Sequence, residues 1–166
     1  MRAVVFTALI SGNALASTDT CKPIRDAINR QNAASDMQVS SVLIYTDSGR
    51  SYSYDYLIAG DKFYSRNRSG PWKVEPRWPT PLVVDGKPAV YDCRFVGTDR
   101  IGETTVMVYT YKRFVPDHTM EVRAWVAADS KDFLETETNI GPFSDHKTRF
   151  SFNYKRNITL PEVDEP

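Results

Sequence analysis

The sequence lacks most of the patterns that announce a chemical activity. No HExxH, GxSxG, CxxC or phosphate-loop motif occurs in its 166 residues. Neither sign of charge is in excess, with 21 Lys plus Arg against 21 Asp plus Glu. That balance removes the electrostatic footprint of a nucleic-acid binder and of an acidic, solvating tail. No apolar run approaches the roughly 20 residues that cross a bilayer as a helix. Internal repeats and low-complexity segments are missing, and no composition shift marks a domain boundary. Histidine is rare. The two present, His118 and His146, each follow an aspartate, Asp117 and Asp145. An Asp-His pair can ligate a metal or move a proton, but both fall in loop-forming stretches where polar residues are common for other reasons. A non-enzymatic protein without a cofactor is therefore expected.

What is present favours strands. Nine Tyr, eight Phe and three Trp make the chain rich in aromatics, which suit a pleated, half-buried surface. Residues 1–16 read as a signal peptide: Met1-Arg2 is the charged start, Ala3 to Ile10 the short apolar centre, and Ala14-Leu15-Ala16 the small-residue exit. The alternative is a buried first element. On the signal-peptide reading residues 17–166 form a single exported domain, periplasmic in location. Thr18, Asp19 and Thr20 precede Cys21 where a lipidation box needs small apolar residues. In an oxidising compartment Cys21 and Cys93 are expected to join, which would pin the start of the first helix to the middle of a central strand. The loop closed would span about 70 residues, for which chain entropy gives at most about 4 kcal/mol. Two buried free thiols are the alternative.

Residues 22–34 read as the one clear helix. Thr20 can cap it and Pro23 suits its first turn. Ile24, Ala27, Ile28 and Gln31 form one apolar stripe. Strands follow at residues 38–46, 50–59, 62–66 and 72–77, separated by turns at Asp47-Ser48-Gly49, Gly60-Asp61 and residues 67–71. In the second of these, Tyr52, Tyr54, Tyr56 and Ile58 share one face. Pro79, Pro81, Gly86 and Pro88 exclude a regular element from residues 78–88, leaving a packed loop or a mobile cover. The run 89–138 organises the rest. Its strands are expected at 90–97, 100–113, 119–128 and 133–140, with Gly141-Pro142 ending the last and a final strand at 148–154. Met120, Val122, Ala124 and Val126 alternate with Glu121 and Arg123. Near residue 108 both faces are apolar. The sum is a mainly β, α+β fold: a strongly curved antiparallel sheet, or half-open barrel, with an N-terminal amphipathic helix packed on its concave face. A closed barrel is the second choice.

Three features resemble a known family. The stretch Cys93-Arg94-Phe95-Val96-Gly97-Thr98-Asp99-Arg100-Ile101-Gly102-Glu103-Thr104 is similar to the strand, Gly, acidic turn, apolar-Gly, strand pattern of lipoprotein-carrier domains. Trp125-Val126-Ala127-Ala128-Asp129-Ser130, followed by Leu134-Glu135-Thr136, resembles their Trp-apolar-x-x-Asp turn. A leader, an amphipathic helix and then a meander fit the same plan. The family is the LolA/LolB-like superfamily of periplasmic lipoprotein-localisation and lipid-binding proteins. This chain departs from it in carrying Asp132-Phe133-Leu134 where Gly-Leu-Pro is usual, and the Pro-rich segment 78–88 in place of helical lid segments. The resemblance implies an unclosed barrel, covered by helix, that holds acyl chains in an apolar cavity.

The candidate lining residues are Tyr52, Tyr54, Tyr56, Phe63, Trp72, Met107, Tyr109, Met120, Val122 and Trp125. An ordinary core beneath the helix is the competing reading for most of them. The expected partner is a lipid, an acyl chain or a lipoprotein, held by burial at about 0.8 kcal/mol per methylene. An envelope protein bound through strand edges and the basic turn Arg66, Arg68 and Lys73 is the alternative partner.

Overall fold

The computed structural model describes residues 19–68, 70–140, 145–154 and 158–163. The expected signal segment 1–16 and the Gly141-Pro142 break lie outside the described residues.

The helix α1 is Lys22–Ala33. Its apolar stripe is as expected: Ile24, Ala27 and Ile28 are buried, and each buried isoleucine contributes roughly 1.5–3 kcal/mol. The expected cap is corrected. Cys21, not Thr20, occupies the N-cap position, and it makes no side-chain cap bond. Asp19 serves the helix start instead. Its carboxylate accepts from the Cys21 backbone N–H at 3.2 Å and from Arg25 at 3.1 Å. That guanidinium holds the Asp19 carboxyl below its usual range.

Among the described residues eleven strands follow in chain order: β1 Asp36–Tyr45, β2 Ser51–Ala59, β3 Lys62–Asn67, β4 Lys73–Pro76, β5 Val83–Val84, β6 Lys87–Pro88, β7 Val90–Ile101, β8 Thr104–Val115, β9 His118–Ala127, β10 Phe133–Ile140 and β11 His146–Asn153. Nine of them make one sheet in the order β4-β3-β2-β1-β11-β10-β9-β8-β7. Every pair in it is antiparallel. The ribbon is thus two meanders, β1 to β4 and β7 to β11, joined where the first strand pairs with the last. β5 and β6 form a separate two-residue hairpin, the only regular structure that the prolines of residues 78–88 permit.

The sheet does not close, since β4 and β7 are its two edges. It does curl. Phe63 on β3 and Tyr111 on β8 line the same cavity, although six strand spacings separate β3 from β8 in the order. In a flat sheet that would be roughly 30 Å. The helix lies against the inner side of this curl, packed on β7 and β10. The core beneath it combines Ile24, Ala27 and Ile28 with Val90, Tyr109, Tyr111, Val122, Ala124, Val126 and Phe133.

Two expectations about β7 and β8 are corrected. Residues 98–99 are not a turn; β7 runs on to Ile101, and the hairpin reverses at Gly102-Glu103. Gly102 has φ +58°, a value that suits glycine in a two-residue hairpin loop. Cys93 is also not in a central strand. It sits in a bulge of edge strand β7, where Asp92 and Cys93 together face the single residue Tyr111. A bulge re-aims the side chains around it, and here it brings Cys93 within bonding distance of the helix start. The disulfide Cys21–Cys93 is formed, across a separation of 72 residues.

The other end of α1 is held by Arg77. Its guanidinium donates to the carbonyls of Ala34 at 2.6 Å, Gln31 at 2.8 Å and Asn32 at 2.9 Å. A cation there meets both the unpaired carbonyls and the negative end of the helix dipole. Asn32 completes the stitch: its amide donates to the Thr80 carbonyl and its oxygen accepts from the Thr80 N–H, both at 2.9 Å. Residues 78–88 are thus tied to the helix end at Thr80 and packed on the core at Leu82, while most of the segment is exposed.

Both anchors of the helix carry measurable stability. Replacing Cys21 and Cys93 with serine lowers the unfolding free energy by about 2–4 kcal/mol in urea titration, and reductant moves the native protein to the same midpoint. Arg77→Ala costs about 1–3 kcal/mol by the same titration, and Arg77→Lys recovers only part of it, because a single ammonium cannot span the same carbonyls.

Candidate functional site

Alternation along the strands decides what faces the helix. In β1 the helix-side residues are Met37, Val39 and Ser41, all buried. Cross-strand register carries this side through the sheet: Val39 pairs with Tyr56 and Phe152, Thr138 with Val122, Val122 with Tyr111, and Met120 with Arg113. Between this surface and α1 lies a cavity of about 420 Å³. It exists because the parts are unequal. A helix of 12 residues spans about 18 Å and covers only the β7 to β10 end of the curl. The floor of the uncovered part carries the small side chains Thr136 and Thr138, while its walls are aromatic. Tyr56 stacks on Phe63 with centroids 5.5 Å apart, and Phe152 lies between Phe150 at 6.4 Å and Phe133 at 6.2 Å. Trp78, Thr80 and Arg77, from the stitched loop, form part of the rim.

Of the residues singled out in the sequence, Tyr56, Phe63, Met120 and Val122 line this cavity. Tyr54 is on the same side of the sheet, stacked on Tyr56 at 6.4 Å, but beyond the cavity. Tyr52 lies further out, 40% exposed, with its ring against Tyr45. Met107 and Tyr109 face the helix and belong to the filled core, Tyr109 donating to the Met107 sulfur at 3.6 Å. For these two the ordinary-core reading holds.

Trp72 and Trp125 are on the other side of the sheet, away from the cavity. Trp125 is an odd number of residues from Val122 and therefore points oppositely. Arg123 and Arg149 lie over its ring at 5.2 and 6.0 Å. Trp72 neighbours Leu57 and Gln38 on that outer side and carries Arg66 at 4.5 Å. Arg66 also pairs with Asp55 at 2.9 Å, so the basic turn is partly neutralised from within. The outer side also carries ion pairs, Lys112 on Asp92 at 3.1 Å and Glu137 between Lys147 and Arg149, beside apolar residues that are buried there, Val106, Val108 and Ala127 at one end and Leu57 and Tyr64 at the other.

Sequence reading missed several lining residues. Met37 precedes the expected strand start by one residue. Phe150 and Phe152 share a face in the final strand, a signal that was sufficient in principle. Arg77 and Arg113 gave no signal, since a lone arginine near a strand end is unremarkable in sequence.

The cavity wall also holds ionisable groups. Burial pushes the Tyr111 hydroxyl up to about 12, so it is neutral at physiological pH. The Asp-His pairs are elsewhere. His118 is exposed at the β8–β9 hairpin, where Asp117 has φ +75°, a turn conformation that aspartate tolerates. His146 bonds its neighbour Asp145 at 2.9 Å, with its ring 5.6 Å from that of Tyr45. Among the described residues no three His, Cys, Asp or Glu side chains converge as metal ligands.

No protein-family model and no curated protein matches the chain. Solved structures do. The chain is similar to the lipoprotein LppX of Mycobacterium tuberculosis at 9% identity and a TM-score of 0.55, over 86% of this chain and 98% of that one. A domain described as an outer membrane lipoprotein-sorting protein from Vibrio parahaemolyticus aligns at 8% identity over 80% and 92% of the two chains, with a TM-score of 0.29. A LolA superfamily protein from Nitrosomonas europaea aligns at 10% identity over 82% and 94%, with a TM-score of 0.28. At such identities a likeness speaks to fold alone, and the weight rests on the first. The chain thus shares the fold of LppX, an open antiparallel half-barrel with a helix on its inner side.

Proposed function

We propose that this protein is a non-enzymatic periplasmic carrier or sensor that holds an acyl chain, as a lipid or as part of a lipoprotein, in the cavity between α1 and the sheet. The observation that carries this reading is the cavity itself: about 420 Å³, open to solvent, with aromatic and aliphatic walls. Ligand pockets run from roughly 300 to 1,000 Å³, so this one suits a single chain better than several. Burial at about 0.8 kcal/mol per methylene supplies affinity without any catalytic group. The disulfide fits an oxidising compartment, in keeping with export to the periplasm, and no described helix is long and apolar enough to cross a membrane.

The envelope-protein alternative needs the cavity to be irrelevant, which makes the two separable. Protein purified under native conditions is expected to release lipid into organic solvent, and native mass spectrometry is expected to show an adduct on the polypeptide. Thr136→Phe, which places a ring on the cavity floor, is expected to reduce that adduct by about tenfold while circular dichroism stays unchanged. Bare polypeptide mass in the native protein, or an adduct indifferent to Thr136→Phe, overturns the carrier reading.

A further inference from the structure

The cavity is apolar but not uncharged. Two guanidinium groups, Arg77 and Arg113, line it, and no aspartate or glutamate does among the described residues. The two arginines differ in what they already hold. Arg77 is occupied by the carbonyls of Gln31, Asn32 and Ala34 at the helix end, whose partial negative charge offsets its own. Arg113 is not held in this way. Its Nε is shut off from solvent and accepted by nothing among the described residues. The acidic residues on neighbouring strands do not reach it. Glu121 follows Met120, the cross-strand partner of Arg113, and so alternates to the outer side, opposite Lys112. Asp92 pairs with Lys112 at 3.1 Å. The adjacent Tyr111 is neutral. A half-buried cation with no carboxylate partner is costly. The shut-off Nε is closed to an occupant as well, and the two terminal nitrogens are left to meet an anion of two or more oxygens in a forked geometry.

We propose that Arg113 is the head-group site of the cavity, so that the ligand is an anionic amphiphile whose carboxylate or phosphate oxygens meet this guanidinium while its chain lies along Met120, Val122, Phe150 and Phe152. This rests on the acyl-binding reading and adds to it the charge of the ligand and the end at which that charge sits. A neutral chain of the same length would fill the same apolar space and leave Arg113 unpaired.

The test uses the delipidated full-length protein in titration calorimetry with decanoate, decyl phosphate and decanol, which share a chain and differ in head group. Decanoate or decyl phosphate is expected to bind about tenfold more tightly than decanol, the gain of a charge-assisted bond at a partly screened site. Preference for decanoate identifies a free fatty acid as the source of the anion, and preference for decyl phosphate a phospholipid. Arg113→Met is expected to bring the anions to within about twofold of decanol without weakening decanol. Arg113→Gln gives the same readout should the methionine variant fold poorly, and Arg113→Lys is expected to keep part of the preference. Equal binding of acid, phosphate and alcohol to the native protein, or an anion preference that survives Arg113→Met and Arg113→Gln, removes the head-group site while leaving the carrier intact. Binding of none of the three removes the carrier reading and this site with it.

Discussion

The structure depends on one mismatch of sizes. A nine-stranded sheet curled far enough to bring β3 and β8 to one cavity encloses more inner surface than a helix of 12 residues can cover. The helix packs on β7 and β10 and leaves the rest of the inner surface bare. Three anchors hold it: the disulfide at its N-terminus, the buried stripe of Ile24, Ala27 and Ile28 along its length, and Arg77 at its C-terminus. The first two join it to β7 and the core. The third joins it to the loop that follows β4, at the far end of the sheet. The cavity is what remains between these attachments.

Alternation then divides the labour of each strand. On β9, Met120 and Val122 face the cavity, while Glu121, Arg123 and Trp125 face outward among charges. The same split occurs on β8 between Tyr111 and its neighbour Lys112. Because the inner side is shared between filled core and open cavity, the difference between them lies in side-chain size and helix position, not in polarity. Tyr109 and Tyr111 are neighbours on one face of one strand, yet only the second reaches the cavity.

This explains how much was legible in advance. The helix stripe, the strand alternation and the cysteine pair are local or compositional signals, and they led to the curved antiparallel sheet with a helix on its inner side. The lining residues Tyr56, Phe63, Met120 and Val122 were found because they sit on apolar faces. Trp72 and Trp125 were misplaced because aromatic character was read without strand parity, and an odd separation reverses the face. The pairing of β1 with β11 had no local signal at all, since it joins the two ends of the chain's sheet-forming region. Arg77 was invisible for the same reason: its partners, Gln31, Asn32 and Ala34, are more than 40 residues earlier in the sequence.

An open sheet leaves two edges, and their chemistry bears on how the protein meets a partner. β4 carries Lys73, Glu75 and Pro76, all exposed, and proline offers no N–H to a further strand. β7 is broken by register shifts at Tyr91/Arg94 and Phe95/Gly97, so it presents no even row of donors and acceptors. Short, charged or bulged edges of this kind resist the addition of another strand. The edges are thus poor templates for a further strand, although β7 still exposes Phe95 and Val96. Trp78, 83% exposed, stands at the mouth of the cavity, on a loop held to the helix end through Arg77 and Asn32. The rim is thus fixed to the same helix that bounds the hollow, so a change that loosens the helix end would loosen the rim with it.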